Sequence, residues 1–148
     1  MDFTEFDQLV EPLPARSAAM QAAHGFVLID ARTASGQELH DAEQRLGATL
    51  PSRYKTFMMR YGGGQFGSVD LLPVTPIPDG EDIVLASQRE DPSGSFVVVA
   101  PVGTGDYWGF PVINGRCSDQ VWFRFHDAGD PELAAPDFLT FGANHGLM

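Results

Sequence analysis

The beginning of the chain combines a helical pattern with a short apolar run. Apolar side chains at positions 3, 6, 9 and 10 predict a short N-terminal helix, and we expect Pro12 and Pro14 to end it. Residues 26–29 are apolar and follow Gly25, which favours either a short strand or part of a longer irregular stretch.

The strongest pattern is a pair of helices joined by a tight turn. Ser35 and Glu38 have the S-x-x-E spacing of a capping box. Apolar residues at positions 39, 42 and 46 continue the helical period, with Glu43 as a polar interruption. Gly47 supplies the left-handed residue that closes this helix. Pro51 suits the first turn of a second helix, whose apolar side chains fall at positions 54, 57, 58 and 61 before three glycines end it.

The second half of the chain is dominated by β-branched and aromatic runs that turn residues separate. Asn114-Gly115 is a typical hairpin turn, and residues 136–141 predict a short terminal helix. Strands are predicted over 69–74, 83–86, 96–100 and 121–125, with a further strand over 105–113 that Gly109 and Pro111 would interrupt.

This order of elements predicts an α+β fold. Helices come first, several closely spaced strands follow, and a helix comes last. Because helices and strands do not alternate, we expect the helices to pack against an antiparallel sheet. A length of 148 residues suits one domain over 1–148 with a substantial core.

Composition and charge narrow the classes of partner. The chain has 20 acidic and 9 basic residues, a net charge of −11. Such a surface repels phosphate backbones, so we expect no nucleic-acid partner. It would attract a basic protein, although the charge can also serve solubility alone.

Cysteine usage and the N-terminus bear on the compartment. Cys117 is the single cysteine, so an internal disulfide and a cysteine-based zinc site are excluded. The acidic N-terminus lacks the basic and then apolar order of a secretion signal, and no apolar run is long enough to cross a bilayer. These features favour the cytoplasm, with no membrane partner.

The helix joint resembles the SUKH superfamily. The matching pattern is Glu43-x-x-Leu46-Gly47-x-x-Leu50-Pro51-x-x-Tyr54-x-x-Phe57, followed by Tyr61-Gly62-Gly63. Family members usually have Asn where Gly62 stands. Two later motifs are also similar to the family, namely Gly105-Asp106-Tyr107 and the acidic-aromatic Asp137-Phe138-Leu139.

The resemblance implies both a fold and a role. The superfamily includes the yeast Smi/Knr cell-wall regulator and many bacterial immunity proteins. It implies an α+β fold in which helices pack against a strongly bent antiparallel sheet. It also implies a non-enzymatic role, since bacterial members typically bind and neutralise a toxin encoded beside them, frequently a nuclease. The resemblance supplies no catalytic residue.

Two acidic segments and one aromatic pair are the candidates for partner binding. Residues 79–91 and 126–148 are rich in carboxylates and would form a docking face for a basic patch if they converge in space. Tyr107 and Trp108 would either anchor an interface, as large aromatic residues do, or pack in the core. The predicted partner-binding residues are Asp79, Glu81, Asp82, Asp106, Tyr107, Trp108, Asp127 and Asp130.

Patterns typical of cofactor and metal sites are weak. The glycines at 62–64 and 103–109 lack the strand-to-helix setting and the lysine of a phosphate-binding loop, so we expect structural turns and no cofactor. His126, Asp127 and Asp130 lack the spacing of a metal loop, which favours an exposed acidic loop over a metal site. We interpret Cys117 as a packed or incidental thiol.

Two alternatives to an immunity protein stay open. One is a housekeeping interaction module of the same fold. The other is a small hydrolase that uses the 103–108 loop, for which a deep pocket lined by Asp106 and His126 would be the supporting feature.

Overall fold

The computed structural model describes residues 1–127 and 129–147 and confirms the α+β fold. The helices are α1 (Phe3–Val10), α2 (Leu13–His24), α3 (Gly36–Leu46), α4 (Ser52–Arg60), α5 (Ile83–Glu90) and α6 (Phe138–Gly146). The strands are β1 (Gly64–Phe66), β2 (Val69–Leu71), β3 (Phe96–Pro101), β4 (Tyr107–Ile113), β5 (Arg116–Cys117), β6 (Val121–Arg124) and β7 (Glu132–Ala135). Strands β1 and β2 form a small hairpin. The larger sheet is antiparallel, with the order β3-β4-β6-β7 and β5 paired to β4.

The joint between α3 and α4 forms as the sequence predicts. The Glu38 N–H donates to Ser35 Oγ at 3.1 Å and the Ser35 N–H donates to Glu38 Oε1 at 2.9 Å, which completes the capping box. Glu43, the polar interruption, accepts hydrogen bonds from the Leu50 N–H at 2.8 Å and from Lys55 Nζ at 3.2 Å. Its carboxylate therefore ties the end of α3 to the start of α4.

Helix α4 lies at the centre of the hydrophobic core. Tyr54, Phe57 and Met58 are fully buried. The Phe57 ring centroid lies 4.9 Å from that of Phe138 in α6 and 5.0 Å from that of Phe66 in β1. Burial of each such side chain is worth about 1.5–3 kcal/mol, so this helix ties α6 and the small hairpin to the core.

The glycines after α4 are structural, in line with the prediction of turns. Gly62 has φ +80°, and a Cβ there would lie 2.3 Å from the carbonyl carbon of Arg32. Arg32 and Gly63 also exchange two backbone hydrogen bonds, at 2.9 and 3.1 Å. Two backbone segments therefore approach too closely for a side chain at Gly62.

The predicted short N-terminal helix is confirmed as α1, which ends before Pro12, but the helix that follows it was not predicted. Helix α1 ends at Val10, and α2 begins at Leu13 with Pro14 in its first turn. Proline fits this position because the first N–H groups of a helix have no intrahelical partner. The pattern of α2 was not recognised because only Leu13 and Ser17 of this alanine-rich helix are buried.

Residues 83–86 belong to a helix, which corrects the strand prediction. Asp82 Oδ1 accepts hydrogen bonds from the N–H groups of Val84 and Leu85 at 2.8 and 2.9 Å, which is the geometry of an N-cap. A short apolar run fits a buried helix as well as a strand. The capping aspartate was the signal that distinguishes them.

The remaining predicted strands are confirmed in position, with shifted ends. Strand β4 runs without interruption because the Phe96 ring covers Gly109 and because the Pro111 carbonyl still accepts from the Ser118 N–H at 2.8 Å. Residues 26–29 are irregular and make one bridge, from Ile29 to Phe66. Strands β1 and β7 were not predicted because each is short and lacks β-branched residues.

Among the described helices, the longest is α2 with 12 residues. None of them combines the length and the apolar character that crossing a membrane requires.

Candidate partner-binding surface

The larger sheet has two faces, which its strand register separates. Trp108 pairs with Phe123 and Gly109 pairs with Trp122, so neighbouring residues of β4 point to opposite sides. On the inner face the Trp108 ring centroid lies 5.4 Å from that of Phe141 in α6. The outer face carries Phe96, Tyr107, Pro111, Trp122, Arg124 and Leu133.

The aromatic pair at the start of β4 does not form an exposed anchor. Tyr107 is 7% exposed, because the Arg124 guanidinium lies over it and over Phe96, at 6.0 and 4.9 Å from the ring centroids. Trp108 is half-buried on the inner face and packs against Phe141 and His145. Of the two interpretations, core packing is the one that the structure shows.

Asp106 connects the start of β4 to the end of β6. Its Oδ1 accepts the His126 N–H at 2.9 Å and lies 2.6 Å from His126 Nδ1, while Oδ2 accepts from Thr104 Oγ1 at 3.0 Å. These bonds, the His126 backbone N–H first among them, lower the pKa of Asp106, and the same contact raises the pKa of His126. The two side chains form a hydrogen-bonded ion pair when His126 is protonated.

The predicted residues of the 79–91 segment separate into exposed and buried positions. Asp79 is exposed, and Glu81 is half-buried and forms an ion pair with Arg89. Asp82 is 0% exposed and caps α5, so it cannot contribute to a docking surface. The sequence analysis named Asp82 as a partner-binding residue because residues 83–86 were predicted to form a strand. A strand needs no N-cap, so the role of Asp82 at the start of α5 was missed.

The first acidic segment lies close to the start of the second, because Asp106 contacts His126 and lines a pocket with Glu81. Glu81 and Asp106 line one pocket of about 200 Å³, together with Arg89, Glu90 and Tyr107. Asp91 accepts a hydrogen bond from Arg124 Nη1 of β6 at 3.1 Å. We call this region the acidic face; its carboxylates are Glu81, Glu90, Asp91, Asp106 and Asp127, together with the exposed Asp79 and Asp130, which lie two and three residues away in the chain from Glu81 and Asp127.

Three members of this region were not among the predicted site residues. Glu90 and Asp91 lie in the acidic segment but were not singled out, and Arg124 was not considered. The signal for Arg124 was present, because alternation along β6 places it on the same side as Trp122. The positions of Asp127 and Asp130, both exposed, agree with a surface loop.

The geometry around Asp106 and His126 differs from that of a hydrolase pocket. The His126 side chain is 59% exposed, and both Asp106 oxygens already have hydrogen-bond partners.

Burial, followed by the charge of Glu43, raises the pKa of the half-buried Cys117 to about 12, so its thiol is protonated at neutral pH. Across residues 1–127 and 129–147, no group of three His, Cys, Asp or Glu side chains is arranged to hold a metal ion.

Comparison with known families gives the identity of the fold. A model of the SUKH group, described as SMI1-KNR4 cell-wall, matches residues 36–141. This span begins at the first residue of α3 and includes the α3–α4 joint, the acidic face and all five strands of the larger sheet. A comparison with curated protein sequences finds no match. Because the matched span covers well over half of the chain, this protein belongs to the SMI1-KNR4 family of the SUKH superfamily.

Proposed function

We propose that this protein is a cytoplasmic immunity protein that binds a cognate bacterial toxin through the acidic face. The observation that carries the proposal is the group of carboxylates around Asp106: Glu81 and Glu90 line the same pocket, and Asp106 contacts His126 at the start of the second acidic segment. Membership of the family supports a binding role without catalysis, and the net charge of −11 favours a basic partner.

The proposed mechanism is association that blocks the partner. Opposite electrostatic fields speed the encounter and select against acidic competitors. A nuclease toxin presents such a basic surface because its substrate is a polyanion. The exposed carboxylates of Asp79, Glu90 and Asp130 would then occupy the cationic patch that phosphate groups otherwise use.

Co-expression with the protein encoded by the neighbouring gene tests the proposal. We expect the two proteins to co-purify as a complex and expect cells that produce the neighbouring protein to grow only when this chain is present. Absence of a complex, or a complex without protection of growth, would overturn the proposal.

A charge-reversal variant tests the assignment of the face. Asp79→Lys, Glu90→Lys and Asp130→Lys together change three exposed positions and leave the buried Asp82 cap intact. We expect the affinity for the neighbouring protein at low salt to fall about 100-fold.

The matched control reverses three exposed carboxylates of the helical region, Glu5, Glu11 and Asp41. Because the net charge changes equally, a loss below about threefold is expected if location matters more than total charge. Equal losses in the two variants would reject the acidic face as the docking site.

A further inference from the structure

An open groove on the outer face of the sheet lies next to the acidic face. It is lined by Phe96, Pro111, Trp122, Arg124, Phe125 and Pro131 and has a volume of about 510 Å³. That volume falls within the range of about 300–1,000 Å³ for clefts that bind ligands. The lining is mostly apolar, and the ring of Trp122 is half-buried.

The floor of the groove is formed by Phe96 and Arg124. The Phe96 ring closes over Gly109, where a Cβ would lie 2.5 Å from the ring, so glycine allows this packing. The Arg124 guanidinium stacks on Phe96 at 4.9 Å from its centroid and donates to Asp91 at 3.1 Å. The positive charge of Arg124 is therefore matched within the protein.

The rim of the groove is negative. Asp130, which is exposed, lies between the lining residues Gly129 and Pro131, and Asp127 lies at the start of the same loop. No lysine or arginine follows Arg124 in the sequence. An apolar cleft with an acidic rim is complementary to an apolar side chain that has basic neighbours.

We propose that this groove receives an aromatic or large aliphatic side chain, flanked by lysine or arginine, from the basic partner that the acidic face attracts. The inference rests on the proposed function and adds an anchor to it: charge brings the partner near, and burial of one apolar side chain fixes its position. A second copy of this chain fits poorly, because two acidic rims would meet.

A pair of synthetic peptides tests the groove directly. The first is Lys-Arg-Gly-Trp-Gly-Arg-Lys, and the second has Ser in place of Trp, so both carry the same charge. We expect the first to bind about tenfold more tightly, since only it buries an aromatic ring. The indole N–H resonance of Trp122, which donates to Gln120 Oε1 at 3.2 Å, should shift on binding, and that of the inner-face Trp108 should not.

A groove-filling variant completes the test. Gly129 is exposed, its φ is not in the left-handed region, and a Cβ there would lie 3.5 Å from the Phe125 ring and 3.2 Å from Asp127 Oδ1, a side-chain atom that can move aside. Gly129→Leu should therefore reduce the preference for the Trp peptide to less than about twofold, because the leucine occupies part of the groove. Gly36→Leu, at an open position on α3, is the matched control and should retain the preference.

The results separate this inference from the proposed function. Equal binding of the two peptides, or a Trp122 resonance that does not move, would overturn the groove even if the neighbouring protein binds the acidic face. A tenfold preference that Gly129→Leu removes would support the groove even if no toxin partner is found.

Discussion

The two tryptophans of the protein lie on opposite faces of one sheet and show how differently those faces are built. Trp108 is on the inner face, where α6 covers it through Phe141 and His145. Trp122 is on the outer face and lines a groove that opens to solvent. The inner face is filled by helices, as a core must be. The outer face keeps apolar surface at the edge of a carboxylate cluster, which is a composition typical of a binding surface.

Truncation of each tryptophan is the largest expected contrast between the faces. Trp108→Ala should lower the free energy of unfolding by about 3 kcal/mol, because it leaves a cavity among packed rings. Trp122→Ala should cost about 1 kcal/mol, because its ring faces an open groove and is not covered by helix α6. Urea denaturation of the two variants measures both values, and equal losses would contradict the distinction between the faces.

The next contrast is between the stability effects of a buried and an exposed carboxylate within residues 79–91. Asp82→Ala should destabilise the protein by about 2 kcal/mol, because it removes a buried cap that accepts the Val84 and Leu85 N–H groups. Glu90→Ala should change the stability by less than about 0.5 kcal/mol, since Glu90 is an exposed helical residue and its ion pair with Arg89 lies at the surface. Thermal denaturation compares the variants; a stable Asp82→Ala protein would show that α5 does not depend on this cap.

The smallest expected contrast is in the titration of two histidines. The contact with Asp106 raises the pKa of His126 above its ordinary value of 6.5, whereas burial lowers that of His145. The contribution of His126 to stability is thus present below pH 6.5 and is lost as the pH rises through its raised pKa. That of His145 is present above pH 6.5 and is lost as the pH falls through its lowered pKa.

Nuclear magnetic resonance titration of the imidazole signals measures the pKa values of His126 and His145 and checks the direction of each shift. Asp106→Asn should move the pKa of His126 back toward 6.5 and leave His145 unchanged, since only His126 contacts that carboxylate. If the two histidines titrate together in the wild-type protein, the assigned environments are wrong.

The α3–α4 joint could be predicted from sequence because its determinants are local. The capping pair Ser35 and Glu38 are three residues apart, and the closing Gly47 acts through its own positive φ and a bond to the Glu43 carbonyl four residues before it. The helices α2 and α5 were missed for opposite reasons: α2 has few buried apolar positions, and α5 begins with a run that also fits a strand.

The candidate site was predictable in composition but not in arrangement. The sequence indicates which segments are acidic, yet the burial of Asp82 and the packing of Tyr107 depend on contacts made by α5 and by Arg124. The groove at Trp122 depends on the register between β4 and β6, which pairs residues that are 13 positions apart. Such long-range pairing cannot be deduced from local patterns.

Hydrogen exchange of the complex with the protein encoded by the neighbouring gene is the most direct test of where a partner binds. On formation of the complex we predict increased protection of backbone amides at residues 79–91 and 103–131, where the acidic face and the groove lie, and unchanged exchange in α3 and α4. Protection confined to α1–α4, with residues 79–91 and 103–131 unchanged, would contradict the account.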